Sequence, residues 1–139
     1  KSEQIAGYLF SFNPEPGTVM ENTPRVNIAR TRRIQLVKNL IEEHDFPESA
    51  IEFDESGTIR AIDAPGELLE LATENGVAFM TDGCPDRQGE MACNRPYGSY
   101  RPGEKFRDYP FLPDASDLKI IRDEMKLSEM VKSAESAVA

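Results

Sequence analysis

Between Thr81 and Glu104 the chain reads TDGCPDRQGEMACNRPYGSYRPGE, a run holding both of its cysteines, four of its nine glycines and three of its ten prolines. Gly and Pro at this density break helices and strands alike, so the run has to fold as a long ordered loop. Inside a compact domain such loops are either functional or disordered. Cys84 and Cys93, eight residues apart, share this one with Arg87, Arg95, Arg101, Tyr97 and Tyr100. That composition argues for a function.

The 139 residues suffice for one ordinary domain, with 39 % hydrophobic residues to build a core and 29 % charged residues to cover it. No apolar run approaches the roughly 20 residues that cross a bilayer. Lys1-Ser2-Glu3-Gln4 does not open a signal peptide. A cytoplasmic protein without membrane contact is the expectation. The net charge of −9 argues against broad attraction to nucleic acid. From Cys84 to Tyr109, however, five basic residues stand against four acidic ones, so a near-neutral loop sits on an acidic body. Such a loop could receive an anionic group, or could simply alternate charges in solvent. With one histidine and two cysteines, the chain by itself cannot complete a zinc site of four Cys and His ligands. His44, in IEEHDFPES, reads as a cation at a helix end.

IAGYLFSF (5–12) reads as a buried strand, which NPEPGT ends with two prolines and a glycine. Asn27 to Glu43 reads as a helix with Asn27 as N-cap and an apolar stripe of Ile34, Val37, Leu40 and Ile41. Arg30, Arg32, Arg33 and Lys38 fall on its solvated face. Two β-like runs, Ala50–Phe53 and Thr58–Ile62, flank a Glu-Ser-Gly turn. Pro65 opens a helix through Leu68, Leu69, Leu71 and Ala72, and Gly76 stops it. GVAFMT (76–81) reads as another buried strand. Asp114 to about Lys132 reads as a final helix, capped by Asp114 or Ser116, with Leu118, Ile121 and Met125 on one face. Alternating strands and helices predict a parallel α/β fold. In such folds ligands gather at the carboxyl ends of strands. Asn13–Gly17, Asp54–Glu55 and Thr81–Cys84 are therefore expected on one rim. Three strand–helix units leave exposed sheet edges, so the chain is expected to be part of something larger.

SFNPEPGTVMENTP followed by RTRRIQLVKNLI resembles the late-barrel strand, loop and helix of biotin-synthase-like radical SAM enzymes. FDESGTIRAI and then TDGCP, ACNRPYGSYRPGE and RDYPFLPD resemble the branch containing the two-component lipoyl synthases. The resemblance runs from about Tyr8 to about Asp117. It implies an α/β fold, the last three or so units of a parallel (β/α) barrel over residues 1–83. Residues 84–139 would form a cysteine-containing loop and a C-terminal helical extension. The family's Cys-x3-Cys-x2-Cys loop, which binds the radical-generating [4Fe-4S] cluster and S-adenosylmethionine, has no counterpart in this sequence. The resemblance thus implies the carboxy-terminal portion of a sulfur-insertion enzyme, not active alone. Its partner would be the missing N-terminal half of the barrel or a separate subunit, and its start at Lys1 fits a fragment. The implied substrate is an acyl chain or small molecule, either free or carried on a protein.

By the same resemblance, Cys84 and Cys93 would be two ligands of an auxiliary [4Fe-4S] cluster, the others lying outside this chain. Asn13, Gly17 and Thr18 of FNPEPGT would border the cofactor or substrate, or the segment is simply a tight turn that its Pro and Gly explain, and Arg95 and Arg101 would bind a carboxylate or pin the loop. The cysteines could equally be free thiols, a disulfide, or ligands of a zinc ion shared with another chain. Tyr97, Tyr100, Phe106 and Tyr109 would pack the extension onto the body. Outside the family reading stand two others, a non-catalytic module binding a partner or a metal, and a small α/β protein with a structural loop.

Overall fold

In a computed structural model the structure describes residues 7–93 and 100–130. Helix α1, Ile28–Glu43, starts where Asn27 Oδ1 accepts the amide of Arg30 at 2.8 Å, an N-cap bond that satisfies one of the free amides of the first turn. Strands β1, Ile51–Phe53, and β2, Ile59–Ile62, form an antiparallel hairpin that pairs Ile51 with Ile62. Helix α2 follows at Gly66–Glu74 behind Pro65. Strands β3, Cys84–Pro85, and β4, Met91–Cys93, make a second antiparallel hairpin. Helix α3, Ala115–Met125, closes the order.

One apolar core joins these elements. Leu36 and Leu40 of α1 meet Ile62, Leu69, Phe79, Ile121 and Met125, all essentially excluded from solvent. Full burial of such side chains is worth about 1.5–3 kcal/mol each before the entropy of ordering is subtracted. Of the aromatics expected to fasten the extension, Tyr109 lies in this core and Phe106 packs against it. Tyr100 and Tyr109 are buried, and Phe106 meets both rings, with centroids 5.5 and 5.3 Å away. Tyr97 lies outside the described residues.

Several elements differ from the sequence reading. Among the described residues the sheets are two-stranded and antiparallel, and the parallel pairing is a single bridge between Met80 and Tyr109. Residues 7–12 join no ladder; Tyr8 and Phe10 are exposed while Leu9 and Ser11 are half-buried, the alternation of an extended segment. The expected strand at 76–81 is instead a 3₁₀ turn at Val77–Phe79. Asn75 Oδ1 accepts the Val77 amide at 3.0 Å, a local bond that competes with a ladder. The last helix ends at Met125 because Lys126 turns left-handed (φ 53°) and Arg33 Nε donates to the Met125 carbonyl at 3.1 Å.

Asp114 caps α3. Its Oδ1 accepts the amides of Ser116 and Asp117 at 2.8 and 2.9 Å, and Asp117 Oδ2 accepts the Asp114 amide at 3.2 Å. The Asp117 amide, then the Ser116 hydroxyl, hold the Asp114 carboxyl below its ordinary value. A depressed carboxylate stabilises the fold above its unfolded pKa and loses that contribution as the pH falls through the folded value. Urea unfolding should therefore show wild type more stable than Asp114→Asn near neutrality, with the gap closing below about pH 4.

Candidate functional site

The cysteine loop contains a hairpin that its Gly and Pro content conceals. Asp86 Oδ1 accepts the amides of Gln88 and Glu90 at 2.8 and 3.0 Å, while the Asp86 amide donates to the Glu90 carbonyl at 2.8 Å. Gly89 supplies the left-handed residue (φ 88°) that the turn needs before the chain rejoins the ladder. This turn sets the register that makes Cys84 and Cys93 direct Cα partners. Cys84 is exposed and its thiol is free.

The base of the loop is clasped twice. The Thr81 amide donates to the Tyr109 carbonyl and the Tyr109 amide to the Phe79 carbonyl, both at 2.9 Å, so the outgoing and returning arms lie side by side. Both arms are then fastened to α1. Lys38 Nζ donates to Asp82 Oδ1 at 2.9 Å on the outgoing arm, and Gln35 Nε2 donates to Asp108 Oδ1 at 2.7 Å on the returning one. Burial pulls the Lys38 pKa down, but the Glu42 and Asp82 carboxylates outweigh it and hold the ammonium above its ordinary value.

The strongest of these fastenings is Arg32, expected on the solvated face and found fully buried. Its Nε donates to Glu124 Oε2 at 3.0 Å, Nη1 to Gln35 Oε1 at 3.1 Å and Nη2 to the Phe106 carbonyl at 2.6 Å. A further bond reaches the Arg107 carbonyl, and the guanidinium lies 5.4 Å from the centre of the Tyr109 ring. A buried cation survives only when paired and hydrogen-bonded. Here every nitrogen of the fork has a partner. The signal was in the spacing. Arg32, Leu36 and Leu40 recur at four-residue steps, which places the arginine on the buried stripe.

Of the residues singled out from sequence, Asn13 is half-buried, and Gly17 and Thr18 are exposed in a turn of their own. The Gly17 amide donates to Glu21 Oε2 and the Thr18 hydroxyl to the Glu15 carbonyl, each at 2.8 Å. Arg101 ion-pairs with Glu15, which brings the PEPGT turn against the RPG segment. Arg25 adds two bonds to Glu104 at 3.0 and 2.9 Å. Asp82 Oδ2 accepts the Leu9 amide at 3.0 Å. Of the two expected rim segments outside the cysteine loop, Asn13–Gly17 is thus linked to it, through Glu15 and Arg101. Asp54 is committed to its own turn instead, accepting the amides of Ser56 and Thr58 at 2.8 and 2.9 Å. Arg95 lies outside the described residues.

A cleft of about 410 Å³, a volume suited to small molecules, opens beside the clasp and is lined by Lys38, Glu42, His44, Leu71, Met80 and Asp82 among others. His44 is the C-cap of α1, as its place in the sequence predicts, and its amide donates to the Leu40 carbonyl at 3.2 Å. Among the described residues no three of His, Cys, Asp and Glu converge as a metal site, and no helix is long and apolar enough to cross a membrane. No family model, curated protein or solved structure matches the chain.

Proposed function

We propose that the chain is the carboxy-terminal portion of a radical SAM sulfur-insertion enzyme of the lipoyl- and biotin-synthase kind, with Cys84 and Cys93 giving two thiolates to an auxiliary iron–sulfur cluster. In this reading residues 1–83 are the late part of a (β/α) barrel and residues 84–139 its extension. The observation that carries it is the hairpin register. Cα partners in an antiparallel ladder sit about 4.5–5.5 Å apart, so both cysteines fall within reach of one cluster. A donor set of thiolates suits iron–sulfur ligation, which normally takes four. Two are present, and the remaining ligands come from outside this chain. When bound, such a cluster supplies sulfur to a carbon-centred substrate radical.

The chain's own part is to hold the two cysteine positions. The Asp86–Gly89 turn sets their register, and the Arg32, Gln35 and Lys38 bonds fix the base of the loop on α1. Arg101, oriented by Glu15, and the Asn13–Thr18 turn border the same loop and serve the substrate or cofactor side. S-adenosylmethionine and its own cluster belong to the barrel half or subunit that this chain joins, and the substrate is an acyl chain or small molecule, free or protein-borne.

The test is iron and sulfide analysis of the assembled enzyme, purified without oxygen, for wild type, Cys84→Ala and Cys93→Ala. Each variant should lose the auxiliary cluster and keep the radical-generating one. Full iron and sulfide content in both variants would reject the proposal.

A further inference from the structure

The same hairpin has a second chemistry that requires no metal. Opposed Cα atoms in an antiparallel pair are about 5.5 Å apart at a hydrogen-bonded position and about 4.5 Å apart at the other kind. Disulfides bridge Cα atoms about 4.4–6.8 Å apart, so the Cys84–Cys93 register suits one at either kind of position. Cys84 is exposed and its thiol is free to begin an exchange. The turn between the cysteines is held by four bonds at Asp86, two to its carboxylate, one to its carbonyl and one from its amide.

We infer that Cys84 and Cys93 form a dithiol site that exchanges with low-molecular-weight disulfides of the glutathione type. The thiolate of exposed Cys84 attacks one sulfur of the external disulfide. That S–S bond breaks, and the first small thiolate departs and takes up a proton. The Cys93 thiolate then attacks the Cys84 sulfur, forming the intramolecular S–S bond and releasing the second small thiolate, which is protonated in turn. Two protein thiols lose two electrons and two protons, and one external disulfide is reduced to two thiols. The closed pair has no thiolate to give a metal, so exchange and metal binding exclude each other at this site. The inference rests on backbone register and not on the iron–sulfur reading.

The experiment uses the full chain freed of metal by chelation and equilibrated in mixtures of reduced and oxidised glutathione. After an acid quench and alkylation it is digested with trypsin without reduction. Arg87 lies between the cysteines, so an internal disulfide joins two tryptic peptides. The expected product is that joined pair, with an equilibrium constant at least about tenfold above that of the same chain in concentrated guanidinium, because only the folded hairpin holds the pair opposed. Gly89→Val, which puts a β-branched residue at φ 88°, should move the constant toward the denatured value. Glutathione retained on Cys84 beside a free Cys93, or equal constants in native and denatured chains, would overturn the inference. Iron content is read separately. Exchange without iron binding rejects only the proposed function, and iron binding without exchange rejects only this inference.

Discussion

Arg32→Met is expected to destabilise the fold by about 3–5 kcal/mol, the cost of removing one partner of a buried ion pair. The side chain is fully buried and Glu124 is nearly so, with 12 % of its side chain exposed. Without the guanidinium, the Glu124 carboxylate loses its partner, and the carbonyls of Phe106 and Arg107 lose a strong donor. A domain of this size has about 5–15 kcal/mol of stability in total, so the variant should sit near the edge of folding. Urea unfolding measures it. Adding Glu124→Leu separates the causes, because it removes the orphaned charge and leaves the carbonyls unserved. The double variant should fall short of the sum of the singles by about 1–2 kcal/mol. Simple additivity would mean that the pair contributes no coupling, and that Arg32 acts through the carbonyls and packing alone.

Gly76→Ala is expected to cost about 2–4 kcal/mol, from left-handed strain and a steric clash together. The residue sits at φ 72°, and a Cβ there would approach Pro113 Cγ to 2.9 Å and Leu118 Cδ2 to 3.0 Å. Pro113 lies just before the α3 cap and Leu118 in its first turns, so the clash pushes the start of that helix from the end of α2. Gly57 provides the control, with φ 73° but open space around its Cβ position. Gly57→Ala should show backbone strain only, about 1–2 kcal/mol. Equal losses in the two variants would mean that the Pro113 contact carries no weight.

Much of the fold was legible because local rules agreed with the core. The Asn27 and Asp114 caps, the stop at Gly76 and the hairpin around Glu-Ser-Gly all rest on bonds between near neighbours. Asp54-Glu55-Ser56-Gly57-Thr58 and Asp86-Arg87-Gln88-Gly89-Glu90 share one turn, with the carboxylate on two amides and Gly left-handed at the fourth place. The first is legible as a turn because β-like runs flank it. The second was hidden because its strands are only two and three residues long and one of them contains Pro85.

The rest depended on distant partners. The four-residue spacing puts Arg32 on the buried stripe, but the partners that make its burial tolerable are carbonyls about 75 residues later, which no helical pattern contains. Residues 7–12 have the alternation of a strand, but a strand is defined by its neighbours, and among the described residues the segment joins no ladder. For the candidate site, the pairing of the cysteines was foreseeable in kind only. Their spacing allowed several readings, and the Asp86–Gly89 turn supplies the register that sets them opposite each other.

Selenium-edge X-ray absorption on the chain assembled with its proposed partner tests the proposed iron ligation by Cys84 and Cys93 at the bond itself. Selenocysteine would replace Cys84 in one sample and Cys93 in another. An iron neighbour bonded to selenium is expected in both samples. Selenium bonded only to carbon, or to a second chalcogen, at both positions would contradict it.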